Sequence, residues 1–263
     1  MMKILALDSS GLVASVAVVE DDRLIAEYDI QYKKTHSQTL LPMLEEIRGR
    51  IELDMASVDA VALAAGPGSF TGLRIGSATA KGLGLGRHFP IVVVPRREGL
   101  AYNMYGAADY ICPIMDARRG QVYTGIYEFT QAGQDIGEAG GKEGPETGRG
   151  QTECGAEGYS MHTVMDQCAE AIEEIAQKLN ELGRRVIFLG DGVPVFRERL
   201  GELMQVSYSF APSHMNRQRA ASVAALGSIY FREGRIVPAA QHAPVYLRPS
   251  QAERERDERA GNA

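Results

Sequence analysis

Residues 58–76 read VDAVALAAGPGSFTGLRIG, an apolar run that passes directly into a glycine-rich loop. The first eight residues, 58–65, have the length and the nearly continuous apolar character of a buried strand. Beyond the loop, small residues recur at every fourth position from Gly72, which predicts a helix from about residue 71 to 85. A buried strand followed by a glycine loop and a helix is typical of layered α/β folds.

Outward from this stretch, the chain carries one pattern twice. Each copy begins with a short apolar run that ends in an aspartate, Asp8 in the first copy and Asp116 in the second, 108 positions further on. A tight turn and further strand-like runs follow each aspartate. The strands predicted in this way cover residues 3–8, 14–19 and 24–30 in the first copy, and residues 110–116 and 121–129 in the second. Such a repeat indicates an internal duplication of one structural unit.

Helices complete both copies. The first copy has a helix predicted from residue 37 to about 51, and the second has an amphipathic helix from about 164 to 182. The second helix leads into a strand at residues 186–189 and then into a short glycine loop. We therefore expect an α/β protein of two similar lobes, residues 1–105 and 106–249, whose aspartates face one cleft.

Two segments depart from this plan. Residues 130–161 are rich in Gly, Glu, Gln and Thr and contain few apolar residues, which predicts a flexible insertion in the second lobe. Residues 250–263 alternate Glu and Arg without an apolar face, which predicts a charged tail.

Composition and charge argue against several classes of protein. The formal net charge is −6, and we therefore do not expect the chain to bind nucleic acid by itself, since phosphate binding draws on clustered Lys and Arg. The three cysteines lack CxxC spacing, which argues against a disulfide framework or a thiolate metal site. No run reaches the length of a membrane span, and Asp8 interrupts the apolar N-terminus, so we expect a cytoplasmic protein that contacts no membrane.

The aspartates at the strand ends have two interpretations. Two carboxylates across a cleft can hold Mg²⁺ beside a nucleotide, because Mg²⁺ prefers hard oxygen ligands. The candidate residues for such a nucleotide site are Asp8, Ser10, Asp116, Gly190, Asp191 and Gly192. Alternatively, each aspartate accepts backbone N–H groups and only caps its own turn. The sequence leaves both interpretations open.

The glycine loop, residues 66–72, also has two interpretations. It opens a helix, so its free N–H groups and the positive end of the helix dipole could hold an anion. It lacks the Gly-Lys-Ser/Thr sequence of a P-loop, and Pro67 has no N–H to donate. The alternative is that Ser69 or Thr71 caps the helix while the glycines permit close packing.

A stripe of small residues follows the loop and consists of Gly72, Gly76, Ala80 and Gly84. Glycine inside a helix costs about 1 kcal/mol relative to alanine, so the stripe indicates that another backbone approaches closely. That neighbour is either the protein's own sheet or a helix of another subunit, and we expect the second. The predicted partner interface comprises His36, Leu40, Gly72, Arg74, Gly76, Ala80 and Gly84.

Catalytic motifs are not recognisable in this sequence. The five histidines form neither HExxH nor HxxxH, so no metal site is predicted. Serine and cysteine nucleophiles lack a local signature such as G-x-S-x-G. We therefore expect no catalytic residues and no metal in this chain.

Four blocks together resemble the TsaB (YeaZ) family: HSQTLLP at residues 36–42, GPGSFTGLRIG at 66–76, DARRGQVY at 116–123 and GDG at 190–192. The resemblance covers nearly the whole chain. It implies the fold of the actin, Hsp70 and sugar-kinase (ASKHA) superfamily, with two lobes of actin-like ATPase or ribonuclease H-like type. It also implies a non-catalytic scaffold for the catalytic paralogue TsaD and the ATPase TsaE in threonylcarbamoylation of a tRNA adenosine. Such a subunit would form a homodimer when alone and meet tRNA only through the complex.

Two other functions stay open alongside this resemblance. An ASKHA-type small-molecule kinase would need an intact phosphate loop, whereas the turn here reads Asp8-Ser-Ser-Gly11 in place of Asp-x-Gly-Thr. A TsaD-like metallopeptidase would need histidine ligands. The family role requires no cofactor, and an ATP or ADP site shared with the partner is left open.

Overall fold

The computed structural model describes residues 1–32, 36–131 and 158–244. The chain divides into two compact units, described separately below. The first comprises Met1–Arg96 together with the chain from Val223 onward, and the second comprises Arg97–Ser222.

The first unit is built on a six-stranded sheet with the order β12-β5-β4-β1-β2-β3. Strands β1, β4 and β5 run parallel, whereas β2, β3 and β12 pair antiparallel with their neighbours. The apolar runs of β1 and β4 are buried along nearly their whole length, as expected for strands covered on both faces. The strand bounds are β1 Lys3–Asp8, β2 Ala14–Glu20, β3 Arg23–Ile30, β4 Ala60–Ala65, β5 Pro90–Pro95 and β12 Val237–Pro238.

Helices α1 (His36–Arg50) and α2 (Phe70–Arg87) pack within the first unit. Helix α1 buries Leu40, Met43, Leu44 and Ile47, a spacing that places one apolar stripe on the core. Helix α2 begins where the Ser69 hydroxyl accepts the N–H of Gly72 and ends where His88 adopts the left-handed conformation. The remaining helices are α3 Arg96–Ala101, α4 Ile172–Leu182, α5 Val193–Leu203 and α6 Ala220–Arg232.

The second unit is built on a sheet with the order β11-β10-β6-β8-β7, and β9 pairs with β8. Strand β10 runs parallel to both β6 and β11, while the long β8–β9 pair is antiparallel. Its core joins apolar residues of the sheet to those of α4 and α5. The strand bounds are β6 Tyr110–Pro113, β7 Met115–Asp116, β8 Gln121–Gln131, β9 Tyr159–Ala171, β10 Val186–Leu189 and β11 Tyr208–Phe210.

The fold class predicted from sequence is confirmed, because each unit is an α/β assembly with a strand that ends in an aspartate, a turn and a following strand. The helix predicted over residues 164–182 is wrong in its first half, where β9 extends to Ala171 and pairs with β8. Val164, Cys168 and Ile172 lie four positions apart, and an even spacing fits the alternation of a strand as well as a helical turn.

The predicted lobe boundaries also differ from the structure. The second unit begins at Arg97 instead of residue 106, and the chain from Val223 onward belongs to the first unit instead of the second lobe. Of the predicted insertion, residues 130–131 and 159–161 lie in β8 and β9. Residues 132–157 and the predicted tail, 250–263, lie outside the described residues. Among the described residues, no helix is long and apolar enough to cross a membrane.

Candidate functional site

The first candidate residue, Asp8, ends β1 and is almost fully buried. Its Oδ1 atom accepts hydrogen bonds from the backbone N–H of Ser10 at 2.8 Å and from the Ser10 hydroxyl at 2.6 Å. Burial raises the pKa of the Asp8 carboxyl, and the positive charge of Arg96 and the Ser10 hydrogen bonds act in the opposite direction. Asp8 therefore caps its own turn, which was one of the two interpretations of the sequence.

The glycine loop lies directly on this turn. The N–H of Ser69 donates to the carbonyl oxygen of Ser10 at 2.8 Å, and the Ser9 hydroxyl donates to the carbonyl oxygen of Gly72 at 2.9 Å. A Cβ atom at Gly68 would overlap the Ser10 carbonyl, and one at Gly72 would overlap that of Ser9. Glycine is thus required because two backbones approach closely. This geometry supports the packing interpretation of the loop over an anion site.

The stripe of small residues on α2 points into the first unit. Gly72, Gly76, Ala80 and Gly84 are all buried within this chain. A Cβ atom at Gly76 would lie 2.6 Å from the Ser9 hydroxyl, and one at Gly84 would lie 2.5 Å from the Cβ atom of Ala239. The prediction that the stripe forms a partner interface is therefore wrong for these four residues. The close backbone neighbour is the protein's own β1–β2 turn and C-terminal segment.

Three further residues of the predicted interface lie in different environments. Leu40 is buried in the core, so its assignment to the interface is also wrong. His36 is half-buried, and its Nε2 atom lies 2.7 Å from the carbonyl oxygen of Gly11, to which it donates. Arg74 is exposed, and its guanidinium lies over the ring of Phe70 at 4.1 Å from the centroid. Of the predicted set, Arg74 lies on the outer face of α2.

That outer face carries a second set of small residues, which the sequence reasoning missed. Ala78, Gly82 and Gly86 follow Arg74 at intervals of four residues and are exposed. Cβ atoms at Gly82 and Gly86 would meet no atom within 4 Å among the described residues. Leu85 on α2 and Leu41 on α1 are each 53% exposed. We call Arg74, Ala78, Gly82, Leu85, Gly86 and Leu41 the outer helical face.

In the second unit, Asp116 occupies the position that corresponds to Asp8. Its Oδ1 atom accepts the backbone N–H of Arg118 at 2.8 Å, and its Oδ2 atom lies 3.2 Å from the Arg118 guanidinium. Asp116 therefore also caps its own turn. That Asp8 and Asp116 face one cleft stays a prediction, because they belong to separate units.

The loop Gly190-Asp191-Gly192 is held by a segment that sequence reasoning did not single out. Gly190 has a φ of +114° and donates its N–H to the Asn216 side chain at 2.8 Å. Its carbonyl oxygen accepts a hydrogen bond from Arg217 at 2.8 Å. The N–H of Gly192 donates to the carbonyl oxygen of Ile114 at 3.0 Å. Asn216 and Arg217 stand in no motif, so only the fold could reveal them.

Metal-ligating side chains do not gather in the described part of the chain. There, no three His, Cys, Asp or Glu residues form a group that could hold a metal ion. Nucleotide binding in the second unit by Asp116, Gly190, Asp191 and Gly192 stays a prediction.

Comparison with known proteins finds one matching family model and several proteins of similar sequence. Residues 24–255 match the family model TsaD, described as tRNA N6-adenosine threonylcarbamoyltransferase. A Bacillus subtilis (strain 168) protein, tRNA threonylcarbamoyladenosine biosynthesis protein TsaB, is 29% identical over 252 residues, which are 96% of each chain. The Escherichia coli (strain K12) protein of the same name is 34% identical over 134 residues, 50% of this chain and 58% of that protein.

Two solved structures have a fold similar to that of this chain. YeaZ from Pseudomonas aeruginosa has a TM-score of 0.72 and 25% sequence identity, and the match covers 94% of this chain and all of that one. A second Pseudomonas aeruginosa structure, described as an uncharacterised protein similar to the peptidase YeaZ, has a TM-score of 0.73, 25% identity and the same coverage.

Proposed function

This chain belongs to the TsaB (YeaZ) family of the actin-like ASKHA superfamily, and from that membership we propose that it is the non-catalytic subunit of a tRNA adenosine threonylcarbamoyltransferase complex. The observation that carries the proposal is the match over 96% of the chain to a tRNA threonylcarbamoyladenosine biosynthesis protein, TsaB. In this role the chain binds a TsaD-type catalytic subunit and a TsaE-type ATPase, and it meets tRNA through the complex.

The geometry of the first unit supports a role without phosphoryl transfer. The carboxylate of Asp8 is engaged by Ser10, and the glycine loop is hydrogen-bonded to the same turn through Ser69. A phosphate entering between loop and turn would have to break these bonds and separate two backbones in van der Waals contact. An ASKHA-type kinase would need the turn after β1 to bind phosphate, and this turn is hydrogen-bonded to the glycine loop instead, so the packing favours the scaffold over the kinase. We propose a site shared with the partner for any ATP or ADP that the complex binds.

The outer helical face is the surface that we assign to the TsaD-type partner. Its small residues leave the backbone of α2 accessible, and Leu41 and Leu85 add apolar surface that is exposed to solvent in the isolated chain. A second copy of the chain could use the same face about a twofold axis, so a homodimer would form in the absence of the partner and compete with it.

A TsaD-like peptidase is the second candidate function, because one Pseudomonas aeruginosa relative is described by its similarity to a peptidase. That activity would need a bound metal or a nucleophile with its base. Casein or peptide cleavage by the purified chain, abolished by a chelator, would support it over the scaffold.

Complex formation tests the scaffold most simply. The chain and the TsaD-type protein of the same source are purified separately, mixed and analysed by sedimentation velocity. We expect a one-to-one species to replace the homodimer of this chain. If the two proteins sediment independently over the concentration range in which each is folded, the proposed scaffold role is wrong.

A further inference from the structure

The turn between β7 and β8 has an unusual backbone. Three consecutive residues have positive φ angles, +67° at Arg118, +57° at Arg119 and +73° at Gly120. Elsewhere in the described residues, non-glycine residues with positive φ occur singly, at Asp21, Glu52 and His88. The left-handed region disfavours L-residues other than Asn and Asp, so two successive arginines lower the stability of the fold.

The turn is nevertheless fixed at three points. Asp116 accepts the N–H of Arg118, and the carbonyl oxygen of Arg118 accepts the N–H of Gln121 at 3.1 Å. The carbonyl oxygen of Gly120 accepts the N–H of Ile172, the first residue of α4, at 3.2 Å. Because the sheet and α4 both hold it, the turn is a defined element of the second unit. We call residues 117–120 the arginine turn.

Several donors of the arginine turn have no acceptor among the described residues. The Arg118 side chain is 87% exposed and contacts one carboxylate oxygen of Asp116, a pairing of small energy at such exposure. Arg119 is exposed and forms no hydrogen bond or ion pair with any described residue. Within the described part of the chain, the backbone N–H groups of Arg119 and Gly120 also have no acceptor. Two guanidinium groups and two N–H groups therefore lie together at one exposed tip.

Resting on the function proposed above, we propose that the arginine turn binds phosphodiester oxygens of the tRNA substrate in the assembled complex. Guanidinium groups pair with phosphate through two parallel hydrogen bonds, and backbone N–H groups in a tight turn add further donors. With a net charge of −6 we do not expect a broad basic surface, so an interaction with RNA would be local. A turn whose backbone is fixed and which carries two adjacent exposed arginines is suited to such a local interaction.

The test uses the complete complex reconstituted with the TsaD-type partner. The double variant Arg118→Gln/Arg119→Gln is compared with Arg23→Gln, which removes a similarly exposed arginine that also pairs with one nearby carboxylate. Binding of unmodified tRNA is measured at several salt concentrations. We expect the double variant to bind tRNA at least tenfold more weakly, with a salt slope that falls by about 1 for each phosphate that the arginines no longer neutralise. Arg23→Gln should bind like the wild type.

A second variant separates recognition from structure. Asparagine tolerates the left-handed region, so Arg118→Asn/Arg119→Asn should raise the Tm while it weakens tRNA binding. A lower Tm would show that the arginines serve the fold, and it would overturn the inference.

Three other outcomes would also overturn it. The first is that the double variant binds tRNA with unchanged affinity and salt slope. The second is that it no longer binds the TsaD-type partner, which would assign the arginines to a carboxylate of that protein. The third is that it loses only ATP binding, which would assign the arginines to a nucleotide. Failure of the wild-type chain to join the complex would instead refute the proposed function, so the two failures are distinguishable.

Discussion

At the scale of the residue, His242 shows how one buried side chain couples stability to pH. The residue is 5% exposed, and its Nε2 atom has no hydrogen-bond partner among the described residues. Its carbonyl oxygen accepts a hydrogen bond from the Lys81 ammonium at 3.1 Å. Burial, with the charge of Lys81 as the smaller cause, holds the pKa of His242 below its usual value.

The sign of the pH dependence follows from this lowered pKa. The unfolded chain takes up the proton near pH 6.5 while the folded chain resists it, so His242 reduces the free energy of unfolding as the pH falls below about 6.5. We predict that His242→Gln flattens the dependence of stability on pH between about 6.5 and 5. Urea denaturation at a series of pH values measures it, with the exposed His214→Gln as control. Equal slopes for wild type and His242→Gln would contradict the prediction.

At the scale of the element, the buried and the exposed face of α2 predict different effects of substitution. Gly76→Leu places a side chain against Ser9 and Leu63, and we predict a loss of about 1–3 kcal/mol in the free energy of unfolding. Gly82→Leu adds the same side chain where a Cβ atom meets nothing, and it removes a helical glycine that costs about 1 kcal/mol. Gly82→Leu should therefore be as stable as the wild type or more stable.

Partner affinity should respond in the opposite order. Because Gly82 lies on the outer helical face, we predict that Gly82→Leu weakens both self-association and binding to the TsaD-type subunit by about tenfold, or about 1.4 kcal/mol. Folded Gly76→Leu should bind normally. Titration calorimetry with thermal denaturation of both variants checks this pair, and wild-type affinity in Gly82→Leu would remove the outer helical face from the interface.

The end of the β8–β9 hairpin is closed by aromatic residues of the second unit. Gln131 is paired with Tyr159 in the register, and the Tyr159 N–H donates to the Tyr105 hydroxyl at 2.7 Å. The rings of Tyr105, Phe129 and Tyr159 form edge contacts with centroids 5.5–5.6 Å apart. Among the described residues, these contacts hold the two strand ends together.

We therefore predict that replacing residues 132–158 by Asn-Gly, the preferred two-residue hairpin turn, leaves the fold and partner binding intact. A shorter connection also lowers the entropic cost of closing the loop on folding, so the Tm should stay the same or rise. Circular dichroism and thermal denaturation check the shortened chain, and Tyr105→Ala in the full chain should lower the Tm because it opens the aromatic contacts. An unfolded product would show that the removed segment stabilises the second unit.

These elements also show what the sequence could reveal. Strands β1, β4 and β10 were predictable because each is a continuous apolar run bounded by turn residues. The stripe of small residues on α2 was also predictable, but the neighbour that it packs against was not. Close approach by a backbone of the same chain and close approach by a backbone of a partner both require small residues. Asp8 and Asp116 were recognised as turn residues or ligands, and only their hydrogen bonds show that they cap turns.

At the scale of the whole molecule, long-range connections were the part that the sequence could not supply. No local pattern marks Val223 as the point from which the chain belongs again to the first unit, because this return occurs inside α6. The pairing of β12 with β5, which follows from it, joins residues about 146 positions apart. The family resemblance did supply the overall fold, since its four sequence blocks fall in both units.

The central claim is that this chain is a required but non-catalytic subunit, and one omission assay tests it directly. The TsaD-type subunit, the TsaE-type ATPase and this chain are combined with unmodified tRNA and a threonylcarbamoyl donor, and modified adenosine is quantified with each protein left out in turn. We predict that omitting this chain reduces the product to background, and that this chain alone forms no product and hydrolyses no ATP. Full activity without this chain, or product formed by this chain alone, would contradict the account.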